Sequence, residues 1–185
     1  MDHEVFSGSL KKIPIYAHKN YLAPPFPSNA IVVDEMLRLA DVKSGKDVVY
    51  DPACGDGRIP IRAVQEPFCA ARAVGIDIDK ELCKIAREKV KTSDLQDKVR
   101  IKNRDIFKCD LSEADVVTLY LSEPSNERIR PKLERELKKT ARVVSHSFRM
   151  ESWNPSKTSD INASLGNDKK YAYPRRIYLY RMDEI

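Results

Sequence analysis

No stretch of this 185-residue chain is apolar for long enough to cross a bilayer. Runs such as Val116 to Leu121 fall far short of the roughly 20 residues a spanning helix needs, so no membrane role is expected. The N-terminus sets Asp2 and Glu4 ahead of Lys11-Lys12 without an apolar stretch, which does not read as a secretory leader. Cysteine is sparse, and Cys54, Cys69, Cys83 and Cys109 show no paired ligand spacing. No metal is expected; buried reduced thiols in a cytoplasmic protein are. Internal repeats and low-complexity segments are absent. What is present is a soluble composition: 33% charged residues and a mean hydropathy of −0.51. The net charge of +5 is compatible with an acidic or nucleic-acid partner without requiring one. The length suits one domain with a proper core. Residues 1–22 lack a clear period and are expected as an N-terminal arm, with a single domain over 23–185.

One further absence carries the argument. The segment Asp51-Pro52-Ala53-Cys54-Gly55-Asp56-Gly57-Arg58 follows a strand-like run, Asp47 to Tyr50, and precedes a helix-compatible run, Ile59 to Glu66. Strand, glycine turn and helix form a nucleotide cradle, because glycine lets the backbone bend and lie against a ligand. The third glycine of the dinucleotide motif is missing, and the acids Asp51 and Asp56 flank the turn. Acids would repel a pyrophosphate, but they suit a ligand carrying an amine and a sulfonium, as S-adenosylmethionine does. Asp77 ends the next strand-like run, Ala73 to Ile78, about 20 residues on, where an acid of a βαβ unit meets ribose hydroxyls. Asp79 reads instead as a helix N-cap.

The rest of the chain fits an α/β fold with a doubly wound, mainly parallel, Rossmann-like sheet of about seven strands, closed by a C-terminal antiparallel hairpin. Ala23 to Ser28 is stiffened by three prolines, and Ser28 is expected to cap a helix over 29–40 burying Val32, Val33, Met36, Leu37 and Ala40. A second helix, about 79–91, should bury Leu82, Ile85, Ala86 and Val90. Strands are expected at Val99–Lys102, Val116–Leu121, Ala141–Phe148 and Arg176–Arg181, the last with a partner before it. Pro131 is placed at the start of a helix ending near Leu137. The polar stretch Ser156 to Lys170 reads as a loop. Ligands of such sheets sit at the carboxyl ends of the strands where the order reverses. That rule adds Asp105 and Ile106, for the adenine amine and ring, although Asp105 also suits a plain turn.

These residues resemble class I (seven-strand) S-adenosylmethionine-dependent methyltransferases and, more narrowly, compact archaeal protein-lysine methyltransferases and their mitochondrial relatives. The resemblance spans roughly residues 24–155 and the last strand. It rests on Phe26-Pro27-Ser28, the glycine motif, Val74-Gly75-Ile76-Asp77, Val116-Val117-Thr118, Pro131-Lys132-Leu133-Glu134, Arg142-Val143-Val144-Ser145-His146 and Trp153-Asn154-Pro155. It implies a cofactor site of Pro25, Phe26, Pro27, Ser28, Asp51, Pro52, Ala53, Cys54, Gly55, Gly57, Asp77, Ile78, Asp105 and Ile106, with S-adenosylhomocysteine as product. It implies a substrate lip at Ser122, Asn126, His146 and Trp153. Pro52-Ala53 departs from the usual Leu-Gly, and Ser122-Glu123-Pro124-Ser125 departs from the usual lip.

Methyl transfer is an in-line displacement that needs alignment and dryness. A lysine nucleophile must shed a proton, and burial against apolar walls helps it to do so. Tyr120 and Trp153 read either as such walls or as core. Glu123 reads as an amine-orienting acid or a helix-start acid, and His146 as catalytic or structural. Three functions stay open. They are a protein-lysine methyltransferase acting on an accessible lysine, a nucleic-acid methyltransferase, and a non-catalytic cofactor-binding module. The Asn/Asp-Pro-Pro-aromatic motif of base-amine methylation is absent after strand four, where Leu121-Ser122-Glu123-Pro124 stands.

Overall fold

The computed structural model describes residues 28–163 and 173–185. Residues 1–22, the approach residues Pro25, Phe26 and Pro27, and 164–172 lie outside them. Seven strands form one sheet: β1 (Val48–Pro52), β2 (Arg72–Asp77), β3 (Val99–Asn103), β4 (Val116–Leu119), β5 (Arg142–His146), β6 (Lys157–Ala163) and β7 (Tyr173–Arg181). Their order is β3-β2-β1-β4-β5-β7-β6. The first five are parallel, and β7 runs antiparallel between β5 and β6. The order reverses between β1 and β4, which is where such sheets bind ligands.

The helices are α1 (Ala30–Leu39), α2 (Arg58–Ala63), α3 (Lys80–Thr92) and α4 (Glu123–Glu136). Alternation along the strands feeds two cores. Val49 and Val116 pack with Val33, Met36, Ile59 and Ala86 under α1, α2 and α3. Tyr50, Val117 and Leu119 pack with Ile129, Leu133 and Tyr180 on the α4 side. At the amino ends of the strands the buried Arg142 holds three acceptors, Ala40 O at 2.9 Å, Asp41 O at 2.7 Å and Asp47 Oδ2 at 2.7 Å. This end is built for stability and leaves the carboxyl end for chemistry.

Five expectations need correction. Asn29, not Ser28, caps α1, its Oδ1 accepting from Ile31 N at 3.0 Å. The helix α2 stops at Ala63 because Pro67 disfavours helical geometry at Glu66. The buried face of α3 is Cys83, Ala86 and Val90, while Ile85 is 47% exposed. The small Cys83 and Ala86 let α3 settle closely on Gly57 and β3, and that docking outweighs the larger side chains. Pro131 lies inside α4, eight residues after its start. Ser122 and Pro124 begin that helix earlier, and buried Ile129 and Leu133 carry it through the proline. Lys157–Ala163 is strand β6, since seven β7 residues supply its pairing partners. Asp79 does cap α3, accepting from Glu81 N at 2.8 Å and Leu82 N at 3.0 Å.

Candidate active site

The carboxyl ends of β2, β1, β4 and β5 present a continuous row of functional groups. At the end of β1 the chain turns over β2, with Ala53 N and Cys54 N both donating to Ile76 O, at 2.7 and 3.0 Å. The turn holds three left-handed residues, Ala53 (φ +73), Gly55 (φ +54) and Gly57 (φ +78). Ala53 adopts this conformation at a cost glycine would avoid, and Pro52 closes β1 opposite Ile76. A Cβ at Gly55 would meet nothing within 4 Å, so the turn presents bare backbone to open space. The same Cβ at Gly57 would stand 2.9 Å from Ala86 Cβ. Gly55 is therefore free on the ligand side, whereas Gly57 serves helix packing.

Asp77 locks this turn to β2. Its Oδ2 accepts from Gly55 N at 2.8 Å and its Oδ1 from Asp79 N at 2.9 Å. Each oxygen keeps a further lone pair for a ligand. Burial raises its pKa, against the pull of those backbone donors. Asp51 is 3% exposed and takes a 3.0 Å hydrogen bond from Thr118 Oγ1. Burial above all, with the charges of Asp77 and Asp56 beside it, pushes its carboxyl up to about 7 despite Thr118. Thr118 is a site residue that the sequence signals only by a hydroxyl in a β-branched run and by its place in the motif Val116-Val117-Thr118. Asp56, expected to face the ligand, does not. Although burial opposes it, Arg58 and Lys89 bind the carboxylate and hold it down to about 2. The acids left for a cationic ligand are Asp51 and Asp77.

On the β3 side, Asp105 Oδ1 accepts from Phe107 N at 3.0 Å, capping the 3-10 turn Ile106–Lys108. Ile106 is buried in the α4-side core, and Ile78 is half-buried beside Asp77.

On the β4–β5 side, Tyr120 is half-buried and stacks on His146, with ring centroids 4.2 Å apart. His146 is fully buried, its Nδ1 3.3 Å from Ser28 Oγ, and Ser28 O accepts from Arg58 Nη1 at 2.7 Å. Ser122 caps α4, and Glu123 is an exposed acid in its first turn. That is the place of a helix-start acid. Asn126 and His146, expected at the lip, are wholly buried instead, Asn126 because its amide holds Phe148 O and Arg149 O and His146 because it stacks on Tyr120. Trp153 is corrected from lip to core: it is 3% exposed, packs edge-on against Tyr180 at 5.5 Å and donates its indole N–H to Glu134 at 2.9 Å. The indole finds a full packing site and a carboxylate partner there, the two things a buried Trp needs. A separate groove of about 320 Å³ lies over α1, α2 and α3, and its cations Arg58, Arg62 and Lys89 are paired with Asp56 and Asp34. Among the described residues no group of His, Cys, Asp and Glu is placed to hold a metal, and no helix is long and apolar enough to cross a membrane.

Comparison with known proteins decides between the ligands such a row admits. Residues 51–157 match the family model of the ANTKMT methyltransferase domain. The chain belongs to this family. It is 39% identical over 150 residues to a protein-lysine N-methyltransferase of Saccharolobus islandicus, covering 81% of this chain and 92% of that protein. It is 28% identical over 164 residues to the mouse adenine nucleotide translocase lysine N-methyltransferase, covering 88% of this chain and 66% of that protein. A crystal structure described as an RNA methyltransferase from Salinibacter ruber, in complex with S-adenosyl-L-homocysteine, superposes with a TM-score of 0.75 at 41% identity, covering 85% and 94% of the two chains. This protein is an S-adenosylmethionine-dependent methyltransferase, and the site fits that cofactor. Bare backbone at Gly55 and two buried acids suit a nucleoside bearing cationic groups.

Proposed function

We propose that this protein methylates lysine side-chain amines of other proteins. The carrying observation is the order of the row: acids and open backbone at the ends of β2 and β1, then Tyr120 stacked on His146 at the ends of β4 and β5. The archaeal and mouse relatives, both lysine methyltransferases, support the same substrate. Bound cofactor supplies an electrophilic methyl group on a sulfonium. Asp77 holds the ribose hydroxyls through the oxygens that already fix the glycine turn, and a charged acceptor makes the stronger hydrogen bond. Asp51, once ionised, offsets the cofactor's positive charge. Asp105 borders the adenine. The amine loses its proton once the cofactor's own positive charge lies beside it, because a neighbouring like charge disfavours the ammonium, and water takes that proton. The domain spans 23–185. Four free cysteines, with Cys54, Cys83 and Cys109 buried, suit a reducing compartment such as the cytoplasm.

Asp77→Ala should weaken cofactor binding at least tenfold, which is about 1.4 kcal/mol. It removes the ribose acceptor and unfastens Gly55 together. Calorimetric titration checks this, and equal affinity would end the ribose assignment.

A second reading, RNA methylation, draws on the Salinibacter structure and on Arg100, Lys102, Arg104 and Lys108, which line the β3 edge and the turn after it. Labelled cofactor and a cell lysate split into protein and RNA fractions separate the two. Label should appear in protein and survive acid hydrolysis as methylated lysine. Label confined to RNA would give the case to the second reading.

A further inference from the structure

Phe148 stands out once the site is described. Four large apolar side chains are exposed among the described residues, Ile31, Ile85, Phe148 and Ile185. Phe148 lies on the strand end itself at the carboxyl end of the sheet, two residues past β5. It is 38% exposed, and its ring lies 6.4 Å from that of Tyr120 at an interplanar angle of 24°.

The backbone that presents Phe148 is strained and heavily held. Ser147 sits at φ +65, a left-handed conformation that residues with a side chain seldom adopt. Ser147 N donates to Arg176 O, and Phe148 N to His146 O, each at 2.8 Å. Two wholly buried side chains secure the carbonyls: Ser145 Oγ donates to Phe148 O at 2.5 Å, and Asn126 Nδ2 donates to Phe148 O at 3.0 Å and to Arg149 O at 3.4 Å. Strain kept in place by surrounding bonds concentrates at functional sites. Here all of it serves to keep one aromatic ring at the surface instead of in the core.

Resting on the proposed lysine chemistry, we infer that Phe148 and Tyr120 form the seat for the substrate's lysine side chain, with Asn126 and Ser145 as its positioning residues. The four-carbon stem lies along the rings, and the ring faces attract the arriving ammonium. The seat is one strand removed from the glycine turn, since β4 is the neighbour of β1 and β5 the neighbour of β4. After the ammonium gives its proton to water, a nitrogen–carbon bond forms and the carbon–sulfur bond breaks, leaving a neutral thioether.

The test uses full-length protein, tritiated cofactor and lysate protein at graded concentrations. Phe148→Ala should lower kcat/KM for protein labelling about tenfold or more, with cofactor affinity and melting temperature unchanged. Phe148→Tyr and Phe148→Trp should restore labelling, whereas Phe148→Leu should not, because Leu fills space without a ring face. A Leu variant as active as wild type would overturn the ring-face role. Unchanged labelling in Phe148→Ala would overturn the seat while leaving lysine methylation standing. Wild-type label found in RNA alone, lost in Phe148→Ala, would make the rim a base-stacking surface, overturning this inference and the proposed function together.

Discussion

Asp51→Asn should yield a protein that is more stable and binds its cofactor poorly. Asn keeps the shape of Asp51 and the acceptor for Thr118 Oγ1 but carries no charge. One pKa unit is worth about 1.4 kcal/mol. Raising this carboxyl from 3.8 to about 7 therefore implies that its ionised form costs the fold on the order of 4 kcal/mol. Burying a neutral amide has its own cost, so a rise of several degrees in melting temperature at about pH 8 is expected. The sign follows from proton counts. Between about pH 4 and 7 the native state holds a proton on Asp51 that the unfolded chain has released, so wild-type stability from this group falls as pH rises through that window. The Asn variant loses that slope. Binding responds in the opposite sense, because cationic cofactor groups favour the ionised carboxylate. Wild-type affinity should drop by up to about tenfold per unit below pH 7, and Asp51→Asn should bind roughly thirtyfold more weakly at pH 8. Thermal melts and calorimetry across this range check both. A variant that melts lower, or binds as tightly as wild type, removes Asp51 as the charge partner.

Gly57→Ala should damage the fold itself. A left-handed Ala costs about 1–2 kcal/mol. Its Cβ would also stand 2.9 Å from Ala86 Cβ and 3.4 Å from Ala86 Cα, atoms that no rotamer change can move away. Such overpacking adds about 1–3 kcal/mol. The total, on the order of 3 kcal/mol, corresponds to a fall of roughly 10 °C in a chain of this size. Adding Ala86→Gly should relieve the Cβ clash but not the φ penalty, and its own helix cost of about 0.5–1 kcal/mol leaves only a partial recovery. Gly55→Ala, open on its Cβ side, should cost only the φ term, about 1–2 kcal/mol. Equal melting temperatures for the Gly55 and Gly57 variants would contradict the packing argument.

The parts of the fold legible in the sequence were those with local causes. Asp79 caps α3 as expected because capping involves only the next three residues. The strands at Val99 and Val116 announced themselves by alternation and by a β-branched run. Failures occurred where distant residues decide. Ile85 looked like core, yet the face of α3 that turns inward is set by the contact of Ala86 with Gly57, 29 positions earlier in the chain. Asp56 looked like a ligand acid, yet Arg58 takes it from two residues away and Lys89 completes its pairing from 33 residues away. Trp153 looked like a lip residue, yet Tyr180 and Glu134 enclose it. The β6 residues read as a polar loop because a strand at the sheet edge carries a weak apolar signal, and its partner follows later in the chain.

The amino acids in order determined the glycine turn, the acid that ends β2, the alternation of strands with helices and, from these, the cofactor. Each depends on bond geometry or on spacing within one βαβ unit, which is short-range information. Tertiary structure alone decided which carboxylates stay unpaired, how far burial lifts Asp51, and that Tyr120 and Phe148 meet from separate strands. Charge pairing, desolvation and ring stacking are properties of neighbours in space, and the sheet order β1-β4-β5 brings those neighbours together from positions up to about a hundred residues apart.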